Sequence, residues 1–116
     1  IASCFFLDVA PDLRATLRSM HALLEPAGGT LVNLGPLAFP RPREGHVPVD
    51  AGQQQAGAHA LTAEQVLALV RAAGFEVAQS RTLDCEYSVL PGQMERTTRT
   101  CLFFVAIAHP RRHTDF

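Results

Sequence analysis

The 116-residue sequence predicts an α/β fold. Two apolar stretches, residues 1–7 and 30–34, flank a segment of helical periodicity, which is the pattern of a strand–helix–strand unit. A second periodic segment follows Thr62, and residues 101–108 (CLFFVAIA) are apolar at every position, as a strand covered on both faces requires.

Each element has its own local reason. Residues 1–7 (IASCFFL) mix β-branched and aromatic side chains in an unbroken apolar run, which suits a parallel strand. Pro11 fits a first helical position, where its missing N–H costs nothing. Leu13, Leu17, Met20 and Leu24 then fall on one helix face, and Pro26 ends the helix. Gly28 and Gly29 turn the chain into residues 30–34 (TLVNL), a strand that Gly35 and Pro36 stop. Residues 36–60 lose all periodicity and form a loop insertion, either a lid over a site or a disordered segment. Thr62 and Gln65 have capping-box spacing, Val66, Leu69, Val70 and Ala73 form the next apolar stripe, and Gly74 caps it. Phe75, Val77 and Gln79 alternate weakly with polar neighbours, so a strand near a sheet edge is expected there. Residues 81–100 read as a polar excursion, and the final strand, 101–108, as the more central of the two. One domain, 1–108, then holds four strands and two helices, and 109–116 is a flexible polar tail.

Composition narrows the function. Ten basic against eleven acidic side chains leave a net charge of −1, too little for the counterion release that drives nucleic-acid binding. No apolar run approaches the roughly 18–20 residues of a membrane span, and no signal peptide is visible, so a soluble, intracellular protein without a membrane partner is expected, cytosolic first and nuclear as a further candidate location. Cys4, Cys85 and Cys101 are odd in number and lack C-x-x-C spacing, which argues for reduced thiols and against a zinc site. His109 and His113 have ligand-like spacing but no third partner, so no metal is expected. The chain has no initiator Met and opens inside a strand, which reads as the C-terminal part of a longer sheet. A glycine-rich turn after a strand, with an acid about 20 residues later, is missing from it.

Three stretches carry a family resemblance. They are Cys4 to Ala10 (CFFLDVA), Val32 to Leu37 (VNLGPL), and Tyr87-Ser88 followed by Met94 and Cys101 to Val105 (CLFFV). With them the chain resembles the carnosine N-methyltransferase (N2227-like) family over nearly its whole length. The resemblance implies the C-terminal part of a Rossmann-like class I methyltransferase sheet, with the first strands and the glycine-rich turn absent. It also implies S-adenosyl-L-methionine as cofactor and methyl transfer to the histidine imidazole of carnosine, or of a related histidine-containing peptide, giving anserine. The isolated stretch would be inactive, and a homodimer is a further candidate assembly.

By the same resemblance Cys4 borders the cofactor, Asp8 meets the acceptor as the catalytic and substrate-binding carboxylate, and Tyr87 lies at the substrate end of the pocket. Each residue has a purely structural alternative. Cys4 is then a small core residue, Asp8 a turn or cap, and Tyr87 a surface packing residue. The sequence departs from the family pattern at Phe39-Pro40, where a Tyr-His pair is expected, leaving His46 or His59 as replacements. It departs again at Thr97, Thr98 and Arg99, where an aromatic cluster is expected, and at the inserted Ala27. Two other functions therefore stay open: a methyltransferase for another small molecule or a protein, and a non-catalytic binding relative.

Overall fold

The computed structural model describes residues 1–39, 61–87 and 90–111. Most of the expected loop insertion, with His46 and His59, and residues 112–116 of the expected tail lie outside the described residues. The elements run β1 (Ala2–Cys4), a 3-10 turn (Leu7–Val9), α1 (Leu13–Leu24), β2 (Gly29–Pro36), α2 (Ala63–Ala72), β3 (Glu76–Tyr87) and β4 (Thr97–Ala108). The strands form one sheet in the order β1-β2-β4-β3. β1 and β2 pair in parallel, and β4 pairs antiparallel with both β2 and β3. The fold is therefore mixed α/β, with four strands and two helices among the described residues, and the last strand in chain order is central. That arrangement is compatible with part of a methyltransferase-like sheet.

The helices start where side chains satisfy their first free N–H groups. Asp12 caps α1, its Oδ1 accepting from the Ala15 N–H at 3.0 Å, so Pro11 stands before the cap and not at the first helical position. Thr62 and Gln65 make both bonds of the capping box, at 3.2 Å and 2.9 Å. Both helices contribute to the core on one sheet face. Leu13 and Leu17 of α1 and Val66 and Val70 of α2 join Leu31 of β2 and Leu102, Phe104, Ala106 and Ala108 of β4 in one buried cluster. Two polar side chains, Ser3 and Asn33, are buried at paired positions of β1 and β2, and the Asn33 amide donates to the Leu102 carbonyl at 3.1 Å.

Several boundaries differ from the sequence expectation, each for a physical reason. The first strand covers Ala2–Cys4 and not residues 1–7, because Phe5 takes φ = 52° and ends the extended backbone. It is an edge strand with Ala2 and Cys4 exposed, so the apolar run does not reflect cover on both faces among the described residues. β2 continues through Gly35 to Pro36, two residues beyond its last pair with β1 at Leu34, where proline removes no ladder bond to that neighbour. The polar excursion is largely a hairpin: β3 and β4 stay paired from Glu76↔Ile107 out to Tyr87↔Thr97. Its outer part is polar because it extends beyond the helices, and ladder pairing needs no apolar alternation. The segment read as a tail begins tied down, since Arg111 donates to the Glu25 carboxylate at 3.1 Å and 3.3 Å and its backbone N–H to the Glu25 carbonyl at 3.0 Å. Among the described residues, no helix is long and apolar enough to cross a membrane.

Candidate active site

In open α/β sheets ligands bind outside the carboxyl ends of parallel strands. Here β1 and β2 end at Cys4 and Pro36, and the outer part of the β3–β4 hairpin projects past them, because β2 stops opposite Cys101 while β3 and β4 continue to Tyr87↔Thr97. Between the strand ends and the hairpin lies a cavity of about 170 Å³, whose walls include Phe5, Asp8, Pro36, Ala38, Tyr87 and Arg99.

Phe5 and Gly35 shape one wall together. A Cβ on Gly35 would stand 3.0 Å from the Phe5 nitrogen and 3.1 Å from its Cα, so any side chain there would push the Phe5 backbone back by a few tenths of an ångström. Phe5 donates its N–H to the Leu34 carbonyl at 2.9 Å and holds the left-handed φ of 52°, a strained conformation for a phenylalanine. Its ring then stacks on Tyr87, with centroids 5.6 Å apart and planes 16° from parallel. Tyr87 closes β3 and is exposed on its other side.

Asp8 sits in the 3-10 turn anchored by buried Leu7, and is itself only 6% exposed. Its Oδ2 accepts from the Ala38 N–H at 3.2 Å, which ties the turn after β1 to the segment after β2. Its Oδ1 has no partner among the described residues. A carboxylate held in this way can accept one N–H from a ligand and stabilise positive charge on it. Asp8 and Tyr87, 79 positions apart in the sequence numbering, thus line one cavity.

Cys4 is not among the side chains that line it. It lies on β1, exposed, one residue before Phe5 and paired with Leu34. All three cysteines carry free thiols. Burial pushes the Cys101 thiol from 9.0 up to about 11, with further contributions from the neighbouring Cys85 thiol, Asp84 and Cys4. Among the described residues no group of three His, Cys, Asp or Glu side chains is placed to hold a metal ion.

Sequence reasoning registered Arg99 only as a departure from an aromatic pattern. The structure places it in the same cavity as Asp8 and Tyr87. The signal that finds it is strand pairing: Tyr87 lies opposite Thr97, and Arg99, two residues on, repeats the same face. Phe39, at the other departure, is buried in the core, and Pro40 lies outside the described residues.

The relatives of this sequence bear on what such a cavity serves. The family model described as carnosine N-methyltransferase matches residues 1–110. The chain belongs to the carnosine N-methyltransferase family. It is similar to "Carnosine N-methyltransferase unmet" of Drosophila melanogaster, 30% identical over 106 residues that cover 90% of this chain and 21% of that protein. The carnosine N-methyltransferase of Dictyostelium discoideum is 29% identical over 107 residues, covering 92% of this chain and 20% of the relative. That of Schizosaccharomyces pombe is 32% identical over 87 residues, covering 75% and 23%. The chain therefore spans about a fifth of the length of the carnosine N-methyltransferases it matches.

Proposed function

We propose that this chain forms the acceptor side of a Rossmann-like, S-adenosyl-L-methionine-dependent N-methyltransferase that modifies the histidine imidazole of carnosine or a related histidine-containing peptide, giving anserine from carnosine. The observation that carries the proposal is the meeting of Asp8 and Tyr87 in one cavity at the carboxyl ends of β1 and β2, in a chain of this family. Methylation of a neutral nitrogen by in-line displacement depends chiefly on placement in a site screened from water.

The roles assigned to the residues are supported by the hydrogen bond of Asp8 and the stacking of Phe5 on Tyr87. With Oδ2 committed to Ala38, Asp8 offers Oδ1 to the imidazole N–H, fixes the tautomer, and leaves the other ring nitrogen with its lone pair free. As that nitrogen takes the methyl group the ring becomes cationic, and the Asp8 carboxylate stabilises the charge. The stacked Phe5 and Tyr87 rings supply a flat wall that keeps water from the acceptor. S-adenosyl-L-methionine supplies a methyl group already activated by its sulfonium. The described residues suit only one border of that cofactor: Cys4 is open to it at the end of β1, while a glycine-rich turn after a strand is not found in this sequence. These residues alone would not turn over. The acceptor is a small molecule, without nucleic acid or membrane, and the setting is cytosolic and nuclear.

The test uses the full-length protein containing this chain, methyl-labelled S-adenosyl-L-methionine and carnosine. Label on an imidazole nitrogen of the product is the expected result. Binding of the donor with no transfer to any imidazole acceptor would overturn the reading in favour of a non-catalytic relative.

A further inference from the structure

We propose that Arg99 binds an anionic group of the acceptor, so that the molecule selected carries a free carboxylate beyond its reacting ring. The inference rests on the reading of the cavity as an acceptor site and names what that site selects for.

The argument begins with strand pairing. Tyr87↔Thr97 and Cys85↔Arg99 put Arg99 on the face of the hairpin that bears Tyr87. The acids of the outer part of β3, Asp84 and Glu86, fall on the opposite face and are engaged there. Asp84 accepts from the Thr100 hydroxyl at 3.1 Å, and Glu86 pairs with Arg96 at 3.4 Å. Arg99 has no ion-pair partner among the described residues, and none joins it to Asp8 across the cavity they share. The cavity is thus lined by one acidic residue, one basic residue and the stacked Phe5 and Tyr87 rings.

Such a cavity is complementary to a molecule with a flat N–H-bearing ring at one end and an anion at the other. A guanidinium recognises a carboxylate through two parallel N–H bonds, a geometry that fixes orientation as well as affinity. Arg99 also borders an adjoining cavity of about 400 Å³ that shares Pro36 and Ala38 with the first. It therefore stands where a molecule longer than the first cavity would leave it. Anchoring there sets the ring's distance from Asp8, so the pair selects acceptors by length and charge together.

The experiment compares carnosine with the same dipeptide amidated at its carboxyl group, in the full-length protein and its Arg99→Gln and Arg99→Lys variants. Wild type should prefer the free acid by about 10- to 100-fold in kcat/KM, the range of a charge-assisted hydrogen bond. Arg99→Gln should lose far more on the acid than on the amide, bringing the two together, and Arg99→Lys should fall between. Equal use of both dipeptides by wild type, or an equal loss on both in Arg99→Gln, overturns the proposal. Calorimetric binding of the two dipeptides separates this result from failure of methyl transfer. Acid binding that depends on Arg99 without any turnover supports the carboxylate site and sinks the catalytic reading. Binding that ignores Arg99, or no binding of either dipeptide, sinks the carboxylate site itself.

Discussion

A carboxylate has two oxygens to place, and Asp8 commits one of them to its own scaffold through the Ala38 N–H. The other has no partner among the described residues, and it is this oxygen that the proposed role assigns to a ligand. The Asp8 side chain was identifiable from the CFFLDVA stretch, but its partner was not, because Ala38 belongs to a segment without periodicity. Cys101 shows a related limit: its apolar neighbours announce burial, while its closeness to Cys85 comes from strand pairing, which joins residues 16 positions apart. Its raised pKa gives a prediction. Below about pH 9 the thiol is protonated both folded and unfolded, so its contribution to stability is constant. Between 9.0 and about 11 the unfolded chain releases the proton and the folded chain keeps it, so stability falls through that window. Denaturant unfolding from pH 8 to 11 should show the fall, and Cys101→Ala should flatten it.

At the scale of elements, the parts with strong local chemistry were legible and the hairpin was not. The Thr62–Gln65 box and the apolar stripe of α2 are local in sequence, and the structure keeps both. The outer hairpin is mostly exposed, with Leu83 and Cys85 only half-buried, so it has little alternation to read, yet it supplies Tyr87 and Arg99 to the cavity. Gly35 joins two elements in a way that its neighbours in sequence do not reveal, since it is the backbone of Phe5 that occupies the space a side chain would need. Gly35→Ala should therefore push Phe5 away from Tyr87. We expect a loss of about 1–3 kcal/mol in stability, the range for overpacking, measured by denaturant unfolding. Acceptor KM should rise because the stacked wall opens. Unchanged KM alongside the lost stability would mean that the wall does not touch the acceptor.

For the whole molecule, the sheet order explains how the cavity is assembled. Parallel β1 and β2 deliver Phe5, Asp8 and Ala38 at their carboxyl ends, while antiparallel β4 inserts between β2 and β3 and brings the hairpin alongside. The central place of β4 was readable from its unbroken apolar run; the shortness of β1 was not, because an apolar run does not reveal that Phe5 leaves the extended backbone. The chain spans about a fifth of the length of its relatives, so the proposed activity is one to be measured on the full-length protein. The most direct measurement is the ratio of kcat/KM for carnosine between wild type and Asp8→Asn in that protein. Asparagine retains an oxygen for the Ala38 N–H, so the turn stays in place while the charge is removed. The account predicts a fall of about 100-fold or more, within the usual range for losing an electrostatic stabiliser, with the melting temperature held. Full turnover in Asp8→Asn would contradict it.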